Sequence, residues 1–159
     1  MEEKAFQEYY PEDYSMCYGC GTRNAEGLKI QSRWDGEESV CLFNPRPYHI
    51  AFPGFVYGGL IASVIDCHST GTAAAGVCRA EGRDMDSGPP LRFVTASLHV
   101  DYLKPTPMGG PLELRSRIKE IKGKKVVVTT ELLAGGELCA RGEVVAVRIP
   151  GTMDPGQGR

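Results

Sequence analysis

Hydrophobic and polar positions divide this chain into three patterned stretches separated by turn-rich connections. The central stretch opens after Pro53-Gly54 and carries apolar residues at Leu60, Ile61, Val64 and Ile65. That i, i+1, i+4, i+5 spacing predicts a helix from about Tyr57 to Ala80, buried along one stripe. Gly71 and Gly76 weaken its second half, each by about 1 kcal/mol relative to alanine. The other side, at Gly59, Ala62, Ser63, Asp66, Thr70 and Ala73, is built of small residues, so a second backbone or a ligand can come close.

Ahead of this helix, residues 3–10 read as a short amphipathic helix ended by Pro11, and Cys17 to Gly27 as an irregular, Gly-rich loop. Leu28 to Trp34 alternates at period two, Asp35-Gly36 supplies a type I′ turn, and Ser39 to Phe43 alternates again: a hairpin. Asn44 to Pro53 carries three prolines and reads as loop. After the helix, Glu81 to Pro90 is a polar connection, and the pattern turns to strands. Val94, Ala96, Leu98, Val100 and Tyr102 fall on one face of the first, with Thr95, Ser97, His99 and Asp101 on the other. Leu112 to Ile121, a turn at Lys122-Gly123-Lys124, Val126 to Leu133, a turn at Gly135-Gly136 and Leu138 to Ile149 complete the series.

The order is a hairpin, one long helix and a four-stranded antiparallel meander. It predicts an α+β domain over residues 1–150, with a curled antiparallel sheet wrapped around one long central helix. Residues 1–27 contribute the N-terminal helix and the Cys/Gly-rich loop, and 151–159 form a disordered tail. Open antiparallel edges invite pairing with a second copy.

Composition narrows the function. A net charge of −2 gives no electrostatic reason to bind nucleic acid or a membrane. No apolar run reaches bilayer length, and the acidic start at Glu2 and Glu3 is wrong for a signal peptide, so a cytoplasmic location is expected. The six cysteines, with no secretion signal, predict free thiols rather than a disulfide framework. Cys17-Tyr18-Gly19-Cys20 has metal-knuckle spacing, but no second pair follows to complete four ligands, and it reads as a reduced structural turn. Cys41, Cys67 and Cys78 lie in apolar neighbourhoods and read as core residues. No metal and no cofactor are expected.

Asp66 is the candidate for chemistry. Among Asp, Glu, Lys and Arg it is the only residue between Arg46 and Arg79. A carboxylate in such a segment costs several kcal/mol unless it is bonded, paired or used. At the helix start, free N–H groups at Tyr57, Gly58 and Gly59 and the positive end of the macrodipole suit a developing oxyanion.

Cys17-Tyr18-Gly19-Cys20-Gly21-Thr22-Arg23-Asn24-Ala25-Glu26-Gly27-Leu28 is similar to the opening of many hotdog-fold acyl-CoA thioesterases, near a CxxCGxxNPxGL pattern. Gly54-Phe55-Val56-Tyr57-Gly58-Gly59 followed by Asp66 resembles their GxxHGG…D signature, and Val94 to Gly109 resembles the strand after their helix. The chain resembles the phenylacetate-pathway (PaaI-like) branch of the 4-hydroxybenzoyl-CoA thioesterase superfamily from about Cys17 to Ile149. The resemblance implies Asp66 as catalytic nucleophile or general base, Gly58 as backbone oxyanion donor and Thr95 as the hydroxyl holding the water or carboxylate. The family's His is Tyr57 here and an upstream Asn is Ala51, which leaves the Tyr57 hydroxyl or His49 to polarise the substrate carbonyl. Gly59, Tyr102, Lys122 and Lys124 are the further candidates for holding an acyl-CoA.

Gly58 and Asp66 stand eight positions apart on one helix, about 12 Å along its axis. One thioester carbonyl cannot touch both, so the mechanism calls for two antiparallel helices in a homodimer, or in a tetramer built from such pairs. His68, about 200° round the helix from Asp66, cannot share a dyad with it and reads as a packed histidine. The rival readings are a non-catalytic acyl-CoA-binding module, a hotdog enoyl-CoA hydratase or dehydratase, and, last, a zinc-linked interaction domain built on Cys17 and Cys20.

Overall fold

The computed structural model describes residues 3–149. Six strands, β1 (Arg33–Asp35), β2 (Glu38–Phe43), β3 (Phe93–Tyr102), β4 (Leu112–Lys122), β5 (Lys125–Ala134) and β6 (Glu137–Arg148), form one antiparallel sheet around α1 (Gly58–Ala80). Strand order is β1-β2-β4-β5-β6-β3. This is the α+β hotdog arrangement, but its last four strands are not a simple meander. Only β4, β5 and β6 follow one another; β3 pairs with β6, and the place beside β4 belongs to β2. The helix crosses the concave face between β2 and β3, so the chain re-enters at the far edge of the sheet.

The helix is buried on more than a stripe. Val64 and Ile65 are fully enclosed, and so are His68, Ser69, Thr72 and Ala73. The buried polar side chains of the helix are satisfied across the layers. His68 meets Ser32 Oγ through Nδ1 at 2.8 Å, Thr72 meets Ser39 at 2.6 Å and Ser69 meets Thr130 at 2.7 Å. The two glycines in the second half of the helix mark close approaches. A Cβ at Gly71 would lie 2.7 Å from Gln7 Nε2, and one at Gly76 1.8 Å from Ile118 Cδ1.

Four local expectations change. Residues 3–10 make a single 3-10 turn, Phe6–Tyr9, with a second at Glu12–Tyr14, because Phe6 and Gln7 are pulled into the core. Gln7 bonds Ser32 there with both ends of its amide. Second, the Leu28–Trp34 strand shrinks to Arg33–Asp35. Backbone groups of 28–32 are taken by the N-terminal loop, with Leu28 N–H donating to Tyr18 carbonyl and Ile30 N–H to Gly19 carbonyl. Third, the first hairpin turns one residue later than expected. Asp35 faces Glu38 across Gly36-Glu37, and Gly36 carries the positive φ of 64°, the type II′ signature.

The fourth correction bears on function. Thr95 and Tyr102 were expected on opposite faces of β3, yet both reach the central helix. A bulge between Thr95 and Ser97 supplies the extra residue that resets the alternation. The expected tail at 151–159 lies outside the described residues.

Candidate active site

Asp66 sits mid-helix and half-buried, on the wall of a cavity of about 370 Å³. Its carboxylate accepts a hydrogen bond from Thr95 Oγ1, the contact that the β3 bulge makes possible. Burial pushes its pKa above the usual carboxylate value, the Thr95 bond opposes that, and Cys17 adds to the rise. A carboxyl raised by burial while still held by a donor is a base matched to proton transfer nearer neutral pH.

At the other end, α1 begins at Gly58 with Tyr57 as its extended N-cap (ψ 131°). The first helical bonds are those of Leu60 and Ile61 N–H to the Tyr57 carbonyl, and Tyr57 N–H is spent on the His49 carbonyl at 3.0 Å. Helix geometry therefore leaves Gly58 and Gly59 N–H outside the ladder, while Tyr57 N–H is not free as expected. Two aromatic rings flank these amides. Tyr102 donates its hydroxyl to Gly58 carbonyl at 2.7 Å, and the Tyr57 ring lies so close that a Cβ at Gly59 would meet its Cε1 at 2.5 Å. Glycine at 59 is what admits that ring.

The remaining expected residues lie elsewhere. His49 takes Arg46 N–H at 2.9 Å on Nδ1, and its pKa is lowered by burial and by Arg46. Its ring lines a separate groove with Leu28, Phe43 and Tyr48 rather than the Asp66 cavity. Lys122 ends β4 and Lys124 occupies the following turn; neither lines the Asp66 cavity. Arg92 does, its guanidinium 3.2 Å above the Tyr14 ring and bonded to the Asp13 carbonyl.

Sequence reasoning missed Arg92 and Tyr14 on the cavity wall, and that Cys67 joins Cys17 and Cys20 there, because the wall is made by the N-terminal loop folding onto α1. Cys67 packs against the margin of the core rather than inside it. It is half-buried, with Sγ 3.9 Å from Cys17 Sγ. Its position next to Asp66 was the one available signal. Among the described residues, no helix is long and apolar enough to cross a membrane.

A family model for the thioesterase superfamily matches residues 53–141, which include α1 from its first residue and β3 to β5 entire. A solved thioesterase superfamily protein from Shewanella loihica PV-4 is 49% identical, with a TM-score of 0.68 over 89% of this chain and 100% of that one. The acyl-coenzyme A thioesterase THEM4 of Xenopus laevis is 34% identical over 110 residues, 69% of this chain and 44% of its own length. The chain thus spans about half the length of the curated relatives it matches. The PaaI protein of the E. coli phenylacetic acid degradation operon, 17% identical over 77% of this chain and 81% of that one, shares the fold with a TM-score of 0.61. This chain belongs to the thioesterase superfamily.

Proposed function

We propose that this protein hydrolyses acyl-CoA thioesters to the free acid and CoA. The observation that carries the reading is Asp66: a half-buried carboxylate on a cavity wall, held by the Thr95 hydroxyl, on a helix whose first amides are uncommitted. Membership of the thioesterase superfamily and likeness to an acyl-coenzyme A thioesterase support the substrate class.

In the proposed reaction Asp66 takes a proton from water as the oxygen attacks the thioester carbon. The carbonyl oxygen becomes an oxyanion facing the Gly58 N–H. Collapse breaks the carbon–sulfur bond, and the proton held by Asp66 goes to the departing CoA thiolate. Removing one such amide donor costs about 10²–10³ in rate, so its placement matters as much as the base. Direct attack by Asp66, through an anhydride that water then opens, uses the same groups.

Because Gly58 and Asp66 lie on the one helix α1, about 12 Å apart along its axis, a single carbonyl needs the amide of a second subunit. The exposed β3 edge, with Ala96 to His99 open, supports pairing of two copies with their helices antiparallel. Tyr57, Gly59 and Tyr102 then flank the carbonyl, while His49, Lys122 and Lys124 serve the more distant parts of the CoA.

The test is thiol release from short, long and aromatic CoA esters by wild type and Asp66→Asn. Loss of nearly all turnover with assembly unchanged is expected. Full-rate hydrolysis by the Asn variant would end the proposal, and ester binding without thiol release by the wild type would make the protein a binding module.

A further inference from the structure

The CxxC loop and the central helix bring three thiols together: Cys17 and Cys20 meet Cys67, fifty residues beyond Cys17, and the Sγ atoms all lie within 4.8 Å of one another. The geometry points to a site for a thiophilic divalent metal ion, zinc above all, held by these three cysteines and completed by a fourth ligand from solvent. It stands independently of the thioesterase reading.

The distances fit. Zinc–thiolate bonds of about 2.3 Å set sulfurs about 3.8 Å apart along a tetrahedron's edge, and Cys17 and Cys67 Sγ are 3.9 Å apart. The loop is also shaped for it. Glycine at 19 is required, since a Cβ there would lie 2.1 Å from Cys67 Sγ. Gly21 is equally constrained, with a Cβ 2.4 Å from the Ser15 carbonyl. A bound cation drives off the thiol protons, so binding strengthens as pH rises. The other three cysteines, Cys41, Cys78 and Cys139, are buried elsewhere and share no such cluster.

Such an ion ties the N-terminal loop to α1 beside Asp66, on the wall of the same cavity. The test uses the full chain, reduced and stripped with a chelator, then titrated anaerobically with cobalt(II) and zinc. The expected result is about one cobalt per chain, a near-ultraviolet thiolate-to-cobalt charge-transfer band, the visible absorption of four-coordinate cobalt, and displacement by zinc. Cys17→Ser and Cys67→Ser weaken binding by more than about 100-fold, beyond the roughly 10–100-fold that loss of an outer-shell partner costs. Cys139→Ser leaves it unchanged. Cys17 is exposed, so its variant tests the ligand without threatening the fold. Absence of the charge-transfer band, a band indifferent to Cys17→Ser, or a Cys17–Cys20 or Cys17–Cys67 disulfide in protein alkylated at lysis and free of metal would overturn the site.

Discussion

Gly58→Pro isolates the amide on which the proposed oxyanion contact depends. Position 58 is the first helical residue, where proline's fixed φ is already suited and its missing N–H is one the helix does not use. Tyr57 before it is extended, with ψ 131°, the conformation a following proline demands. A Cβ at 58 meets its nearest neighbour, the Tyr102 ring, at 3.5 Å, an ordinary contact. Where the native backbone suits proline, the stiffer unfolded chain adds about 0.4–1 kcal/mol of stability. The folded protein should therefore melt no lower than wild type. Turnover should fall by about 10²–10³, or about 2.7–4 kcal/mol, the loss expected for one oxyanion donor. Gly58→Ala is the matched control: it adds the Cβ against Tyr102 but keeps the N–H, and should stay within a few fold of wild type. Thiol-release kinetics on the best CoA ester, with thermal melting alongside, reads both variants. A proline variant turning over like wild type, or an alanine variant as slow as the proline one, would refute the reasoning.

Thr95→Val deletes the hydroxyl bonded to Asp66; losing a bond to a charged group, about 1.5–3 kcal/mol, should lower kcat roughly 10- to 100-fold with KM little changed. Thr95→Ser should restore it, and a valine variant at full rate would show the contact to be idle. His68 makes stability pH-dependent. It is fully buried and its pKa is lowered from 6.5 to about 4, chiefly by burial, so below pH 6.5 the unfolded chain binds the proton first. Its contribution is complete above pH 6.5 and drains as pH falls toward 4, by up to about 3 kcal/mol at 1.36 kcal/mol per unit. Denaturant melts of chelated protein across that range should show the slope. His68→Gln should flatten it, and an unchanged slope would place the acid sensitivity elsewhere.

The fold was legible where local rules act alone: Gly-containing turns between alternating runs, and a long apolar-patterned helix punctuated by Pro53-Gly54. It was not legible where distant segments compete. Nothing local to 93–102 says that this strand pairs with β6, and a bulge leaves no composition signal, so strict alternation put Thr95 and Tyr102 on opposite faces when both reach α1. The extended run at 28–32 has strand chemistry but spends its hydrogen bonds on the N-terminal loop. For the site, Asp66 and Gly58 stood out because an isolated charge and paired glycines are costly in a core helix. The cysteine trio did not, because Cys67 meets Cys17 and Cys20 only through tertiary folding.

The central claim is that the two halves of one active site belong to different subunits, and complementation tests it most directly. Gly58→Pro and Asp66→Asn chains carrying different tags can be co-expressed and the mixed dimers isolated by tandem purification. If the amide and the acid meet across the two-fold axis, each mixed dimer holds one intact site and one doubly damaged site, and turnover returns to about half that of the wild-type dimer. If both groups serve one carbonyl from within a single chain, no mixed dimer holds an intact site, and activity stays at the level of the two inactive parents.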